Sequence, residues 1–131
     1  MYKIVFYENE HGENNVRDFI LGLKAKARTS KEARVNLNKI VAYIDALEEY
    51  GTRVGQPVTK HLDGDIWELR PLSNRILYAY YKDDTFVLLH HFTKKTQKTP
   101  PAEIALAKRE IEDYRRRQRK NDNMEGSQEG T

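Results

Sequence analysis

Apolar residues and β-formers dominate residues 2–7, Tyr2-Lys3-Ile4-Val5-Phe6-Tyr7, in a partly alternating pattern that predicts an opening strand. Polar residues fill 8–15 as a loop. Val16, Phe19, Ile20 and Leu23 then recur at helical spacing, predicting an amphipathic helix that runs to about residue 27. Thr29 and Glu32 have the spacing of a capping box and mark a second helix start. Leu37, Ile40, Val41, Ile44 and Leu47 form the apolar stripe of that helix, and Gly51 can end it in the left-handed conformation. Two helices joined by a short turn make a helical hairpin.

Four β-rich runs follow, at 58–62, 66–70, 75–82 and 86–93. Asp63-Gly64 is a strong two-residue hairpin signal and Asp83-Asp84 a weaker one. Thr99 and Pro100 read as an N-cap and first helical residue, leading into a helix whose face carries Ile104, Ala107, Ile111 and Tyr114. Residues 121–131 lack periodicity and read as a disordered tail behind a single domain at 1–120. The order β-α-α-β-β-β-β-α predicts an α+β fold in which helices cover an antiparallel meander.

Strand alternation converts this order into a site. With Pro71-Leu72-Ser73-Asn74 as the loop between the second and third of the four runs, Arg70 falls opposite Arg75 and Glu68 opposite Leu77. With Asp83-Asp84 as the next turn, Arg75 falls opposite Phe92 and Leu77 opposite His90, with Lys94 one pair further on. Arg70, Arg75 and Lys94 then converge at one end of the sheet beside Glu68, His90 and Phe92. Opposed arginines repel unless an acid neutralises them or an anion is held there. Two readings stand: a phosphate-binding site, or an exposed cross-strand ion network. Trp67, Tyr78 and Tyr80 fall on the other face as core aromatics.

Charge sharpens the picture only when placed along the chain. The net charge is +3, yet residues 1–89 hold 13 basic and 13 acidic residues, whereas 90–120 hold 10 basic and 4 acidic. Such asymmetry points either to a polyanionic partner or to a solvated helix face. The run Arg115-Arg116-Arg117-Gln118-Arg119-Lys120 likewise contacts RNA or is a solvated helix end. Cysteine is absent, which excludes a disulfide scaffold and a thiol nucleophile and fits a cytoplasmic protein. His90 and His91 are adjacent and point to opposite faces, so no metal centre is expected, and no cofactor motif is present. No stretch approaches a membrane span.

The stretch Asp65-Ile66-Trp67-Glu68-Leu69-Arg70 with Asn74-Arg75-Ile76-Leu77-Tyr78 resembles the central signature of the phage-derived HigB-like toxins of the RelE/ParE superfamily. The stretch from Leu88 through Lys94-Lys95 and Lys98 to Pro100, and Glu103-Ile104-Ala105-Leu106-Ala107, extend the resemblance over roughly residues 2–114. It implies a RelE-type fold, with helices packed on one face of a twisted antiparallel sheet. It also implies a ribosome-dependent messenger RNA endonuclease, restrained by a helix-turn-helix antitoxin of the HigA type, that meets operator DNA only through the antitoxin complex. Carried over by position, Arg70, Arg75 and Lys94 match the family's basic active-site residues, with Lys95 beside them. Ile66 and Glu68 stand where some RelE relatives have lysines, so the general base does not carry over.

The expected chemistry is metal-independent attack of a ribose 2′-hydroxyl on the adjacent phosphodiester. Arg70 and Arg75 hold the phosphate, Lys94 protonates the leaving oxygen, and Glu68 or His90 is the base. Phe92 stacks a base, and Lys95, Lys98, Arg115 and Arg116 are further RNA contacts. The alternative from another class is a non-enzymatic poison that binds the ribosome or DNA gyrase. A DNA-binding regulator is disfavoured, because no helix-turn-helix partner precedes the basic helix.

Overall fold

The computed structural model describes the backbone of residues 1–129 and the side chains of residues 1–124. Its elements are β1 (Lys3–Phe6), α1 (Asn15–Lys26), α2 (Lys31–Tyr50), a 3₁₀ turn (Gly51–Val54), β2 (Thr59–Asp63), β3 (Ile66–Leu69), β4 (Asn74–Tyr80), β5 (Thr85–Thr93) and α3 (Pro101–Glu129). The order is the expected one, and the α+β arrangement agrees with a RelE-like fold. The five strands form one sheet in the order β1-β5-β4-β3-β2. β2 to β5 are an antiparallel meander, but β1 lies parallel to β5, with Lys3 beside Thr85 and Phe6 beside Leu88, so the sheet is mixed.

The caps sit close to their expected places. Asn14 caps α1 by accepting from the Arg17 amide. For α2 the cap is Ser30, not Thr29: its hydroxyl accepts from the Ala33 amide, and the expected box with Glu32 does not form. Gly51 ends α2 at φ +64, where a Cβ would come within 2.8 Å of the Tyr2 ring. α3 starts at Pro101 rather than Pro100, since the Thr99 hydroxyl is turned to Glu68 and leaves the cap position. The stretch expected as a disordered tail from 121 runs on as helix to Glu129, with no proline to stop it. Residues 130 and 131 lie outside the described residues.

Successive residues of the sheet feed two cores. Leu69, Ile76, Tyr78, Phe86 and Leu88 pack with Val16 and Leu23 of α1 and with Ala33, Ile40 and Leu47 of α2. Ile66, Leu77, Ala79, Val87 and Leu89 point the other way and pack under Ala107 and Ile111 of α3. The helices therefore sandwich the sheet, which corrects the expectation that they share one face. The cause is legible in composition: Ile76-Leu77-Tyr78-Ala79 and Phe86-Val87-Leu88-Leu89 are continuous apolar runs, as strands covered on both faces must be. Fully burying a Leu or Ile contributes about 1.5–3 kcal/mol, so both cores matter to stability. Tyr78 is fully buried, and its hydroxyl lies 2.6 Å from Thr59 Oγ1, which donates to the Glu68 carbonyl. Trp67 is only half-buried and Tyr80 is exposed at the sheet end, so of the three expected core aromatics Tyr78 alone is fully interior.

Candidate active site

The hairpin of β3 and β4 sets the first part of the site. Leu69 pairs with Ile76 and Glu68 with Leu77, the expected register, so Glu68, Arg70 and Arg75 share the α3 face. Glu68 is 2% exposed and lies between the two arginines: its Oε1 is 3.5 Å from Arg70 Nε and 3.8 Å from Arg75 Nε. The Thr99 hydroxyl donates to its Oε2 at 2.5 Å. Arg75 is also buried and donates through Nη1 to the Leu72 and Asn74 carbonyls at 2.9 and 2.8 Å. Burial pushes the Arg75 guanidinium below its usual range and Arg70 adds to this, with Glu68 opposing. Arg70 Nε is buried without a hydrogen-bond partner.

The turn that delivers Arg75 is tight. Asn74 N–H donates to the Pro71 carbonyl, and Leu72 sits at φ +59, exposing its apolar side chain. Across the loop, the Lys94 amide donates to the Ser73 carbonyl at 2.7 Å, bringing the end of β5 beside the start of β4. From there residues 94–100 wrap back over the sheet face. Together with Arg75 and Phe92 they line a cleft of about 400 Å³ whose far wall includes Glu103 of α3. Its cations are Arg75, Lys94, Lys95 and Lys98, and Glu103 is its one carboxylate among the described residues.

Arg75 faces Phe92 and Leu77 faces His90, as expected, but by a different route. The β4–β5 loop is longer than two residues: the Tyr81 amide donates to the Thr85 carbonyl, and Asp83 and Asp84 both have positive φ. This loop sets Tyr80 against Phe86 and Tyr78 against Leu88. A bulge at Leu89 then shifts the ladder by one residue, restoring at the site the register that a two-residue turn would have set.

His90 and His91 point to opposite faces. His90 is buried under α3, with Nδ1 2.5 Å from Glu110 Oε1 and Nε2 2.8 Å from Glu103 Oε2. Burial works against its charge, yet the Glu110 and Glu103 carboxylates outweigh it and hold the imidazole above its usual range. A carboxylate at each ring nitrogen favours the imidazolium form, in which both nitrogens donate. His91 stacks on Phe19 of α1 at 3.5 Å between centroids. Its Nε2 lies 3.0 Å from Asn74 Oδ1, whose amide nitrogen already donates to Asn36 and Pro71; Nε2 therefore carries the proton. Burial and the His90 charge press the His91 pKa down to about 4, so this ring is neutral.

A comparison with family models supplies the deciding match: residues 19–112 fit the family described as Phage derived protein Gp49-like (DUF891), a stretch that runs from within α1 through α2 and the β2–β5 meander to the first turns of α3. The chain belongs to the Gp49-like family. No curated protein matches it.

Within this Gp49-like domain the expected residues separate into three groups. Arg75, Phe92, Lys94, Lys95 and Lys98 line the cleft. Glu68 and Arg70 stand next to it as a buried charge network with Arg75, and His90 sits behind Glu103, both nitrogens occupied. Arg115 and Arg116 are not brought to the site. Arg115 pairs with Asp65 in the β2–β3 turn and Arg116 with Asp113. At about 1.5 Å per residue, α3 has run on roughly 20 Å from Pro101 by Arg115. Three site residues escaped the sequence reading: Thr99, Glu103 and Glu110. Glu103 and Glu110 lie at i and i+7 on the stripe that carries Ala107 and Tyr114, and acids in an apolar stripe were the available signal. No helix among the described residues is long and apolar enough to cross a membrane.

Proposed function

We propose that this Gp49-like protein is a toxin of the RelE/ParE type that cuts messenger RNA on the ribosome in the cytoplasm and is restrained by a helix-turn-helix antitoxin. Its family belongs to that toxin context, and its α+β fold is compatible with the reading. The observation that carries the proposal is the cleft itself: four cations and an aromatic ring line a space of about 400 Å³. A basic groove with a stacking ring is the ordinary means of holding single-stranded nucleic acid.

In this reading the ribose O2′ attacks the adjacent phosphorus, the bond from phosphorus to O5′ breaks, and a 2′,3′-cyclic phosphate and a 5′-hydroxyl are left. Arg75, fixed by Leu72 and Asn74 carbonyls, faces the charge that builds on the phosphoryl oxygens. Arg70 adds to the positive field from beside Glu68. Lys94 donates the proton to O5′, and side-chain cations do the work that a metal ion does elsewhere. Phe92 stacks on a neighbouring base, while Lys95 and Lys98 hold the phosphates on either side.

The test is cleavage of ribosome-bound message by wild type and by Arg75→Ala, with new 5′ ends mapped by primer extension. Loss of a preorganised donor lowers the rate about 10²–10³-fold. Undiminished cleavage by Arg75→Ala overturns the assignment of the cleft. Intact message with arrested growth turns the reading toward a poison that binds without cutting.

A further inference from the structure

The reaction needs a group to remove the proton from O2′, and the two groups that the sequence nominates are committed elsewhere. Glu68 is buried, capped by the Thr99 hydroxyl and held to two arginines, and it does not line the cleft. His90 has a carboxylate on each ring nitrogen. Glu103 differs on every count. It lines the cleft, its side chain is 30% exposed, and its Oε2 is held by His90 Nε2 at 2.8 Å. Among the described residues its Oε1 makes no hydrogen bond.

We infer, resting on the ribonuclease reading, that Glu103 is the general base of the cleft, with His90 and Glu110 as positioning residues behind it. The arrangement fixes a carboxylate that otherwise swings freely on its helix. Glu110 holds the His90 ring, and the ring holds one oxygen of Glu103, leaving the other to face a bound nucleotide. As O2′ bonds to phosphorus, its proton passes to Glu103. As the bond to O5′ breaks, O5′ takes a proton from Lys94. Glu103 ends neutral and Lys94 ends neutral, so charge and protons balance, and solvent restores both. His90 of β5 contacts Glu103 directly, with Glu110 beyond the ring, and Arg75 of β4 and lysines 94, 95 and 98 line the same cleft.

The experiment measures single-turnover cleavage of ribosome-bound message against pH for wild type, Glu103→Gln, Glu103→Asp and Glu110→Gln. Binding is followed separately with an oligonucleotide carrying a 2′-deoxy substitution at the cut site. A positioned base contributes on the order of 10²–10⁴-fold. Glu103→Gln therefore loses at least about a hundredfold in rate, loses the acid limb of the profile, and binds the oligonucleotide as wild type does. Glu110→Gln retains the acid limb with a smaller loss in kcat and an unchanged KM. Where Glu103→Gln does not fold, Glu103→Asp decides: a reduced kcat with the acid limb kept supports the inference, and an unaltered kcat overturns it. Glu103→Gln cutting within threefold of wild type, or keeping the acid limb, also overturns it and leaves the ribonuclease reading standing. Wild type that cuts no message removes the ribonuclease reading, and this inference with it.

Discussion

Removing the Glu68 carboxylate strands two cations in a buried site. In Glu68→Ala, Arg75 keeps its bonds to the Leu72 and Asn74 carbonyls but loses its only counter-charge among the described residues, and the Thr99 hydroxyl loses its acceptor. Breaking a buried ion pair from one side costs about 3–5 kcal/mol. The lower end applies here, because Arg75 retains two backbone acceptors and the Arg70 side chain is 23% exposed. About 3 kcal/mol corresponds to a fall in Tm of roughly 10–15 °C for a chain of this size. Urea unfolding at about 0.05 M and about 0.5 M salt measures it: a surface pair would be screened away, and this one would not. Replacing Arg75 as well, in Glu68→Ala/Arg75→Met, recovers part of the loss, because the stranded charge goes with it. A penalty under about 1 kcal/mol, or one that disappears in salt, refutes the claim that this network is buried and interdependent.

The two adjacent histidines give opposite pH dependences. His90, raised in the folded state, stabilises fully below its unfolded value of about 6.5, and that contribution is lost as pH rises through the folded value. His91, lowered to about 4, is the mirror case: its contribution is present above about 6.5 and is lost as pH falls toward 4. Urea titrations from acid to alkaline pH therefore show His90→Gln flattening the alkaline side of the stability curve and His91→Gln flattening the acid side; the reverse assignment contradicts the geometry. Gly51→Ala meets both a positive φ and the Tyr2 ring, so a loss of about 1–3 kcal/mol in the same assay is expected. A neutral result there shows that Tyr2 yields.

The site was more legible than the layers around it. Period-two alternation brought Glu68, Arg70 and Arg75 to one face, because the loop at 71–74 holds Leu69 against Ile76 as assumed. The pairing of Arg75 with Phe92 was reached through a two-residue turn that does not exist. The longer loop and the Leu89 bulge offset each other, and nothing in local propensity announces such a pair of departures. The face taken by α3 was harder to read, since Ile104, Ala107 and Ile111 say that the helix has an apolar stripe but not which side of the sheet receives it. The doubly apolar run of β5 carried that message. Arg115 and Arg116 stand apart from the cleft, paired with Asp65 and Asp113, acids that are distant in sequence or on the same helix and that a basic run read alone does not reveal.

The way α3 is attached has a consequence for how the molecule opens. Only Ala107 and Ile111 of this helix are fully buried apolar residues among those described, whereas α1 and α2 supply five to the opposite face. Polar latches supply much of the remaining hold: Glu103 and Glu110 on His90, Lys108 on Asp63, and Asp113 on Tyr7, whose phenol is pushed up to about 12 by burial and that carboxylate. Most of these bonds involve charge, so detachment of α3 answers to acidity and ionic strength more than to loss of apolar contact. The sheet face under α1 and α2, held by the larger apolar core, is expected to stay closed when α3 detaches. The wall of the cleft that bears Glu103 belongs to the looser unit, so local opening would expose the cleft while the rest of the fold stays closed.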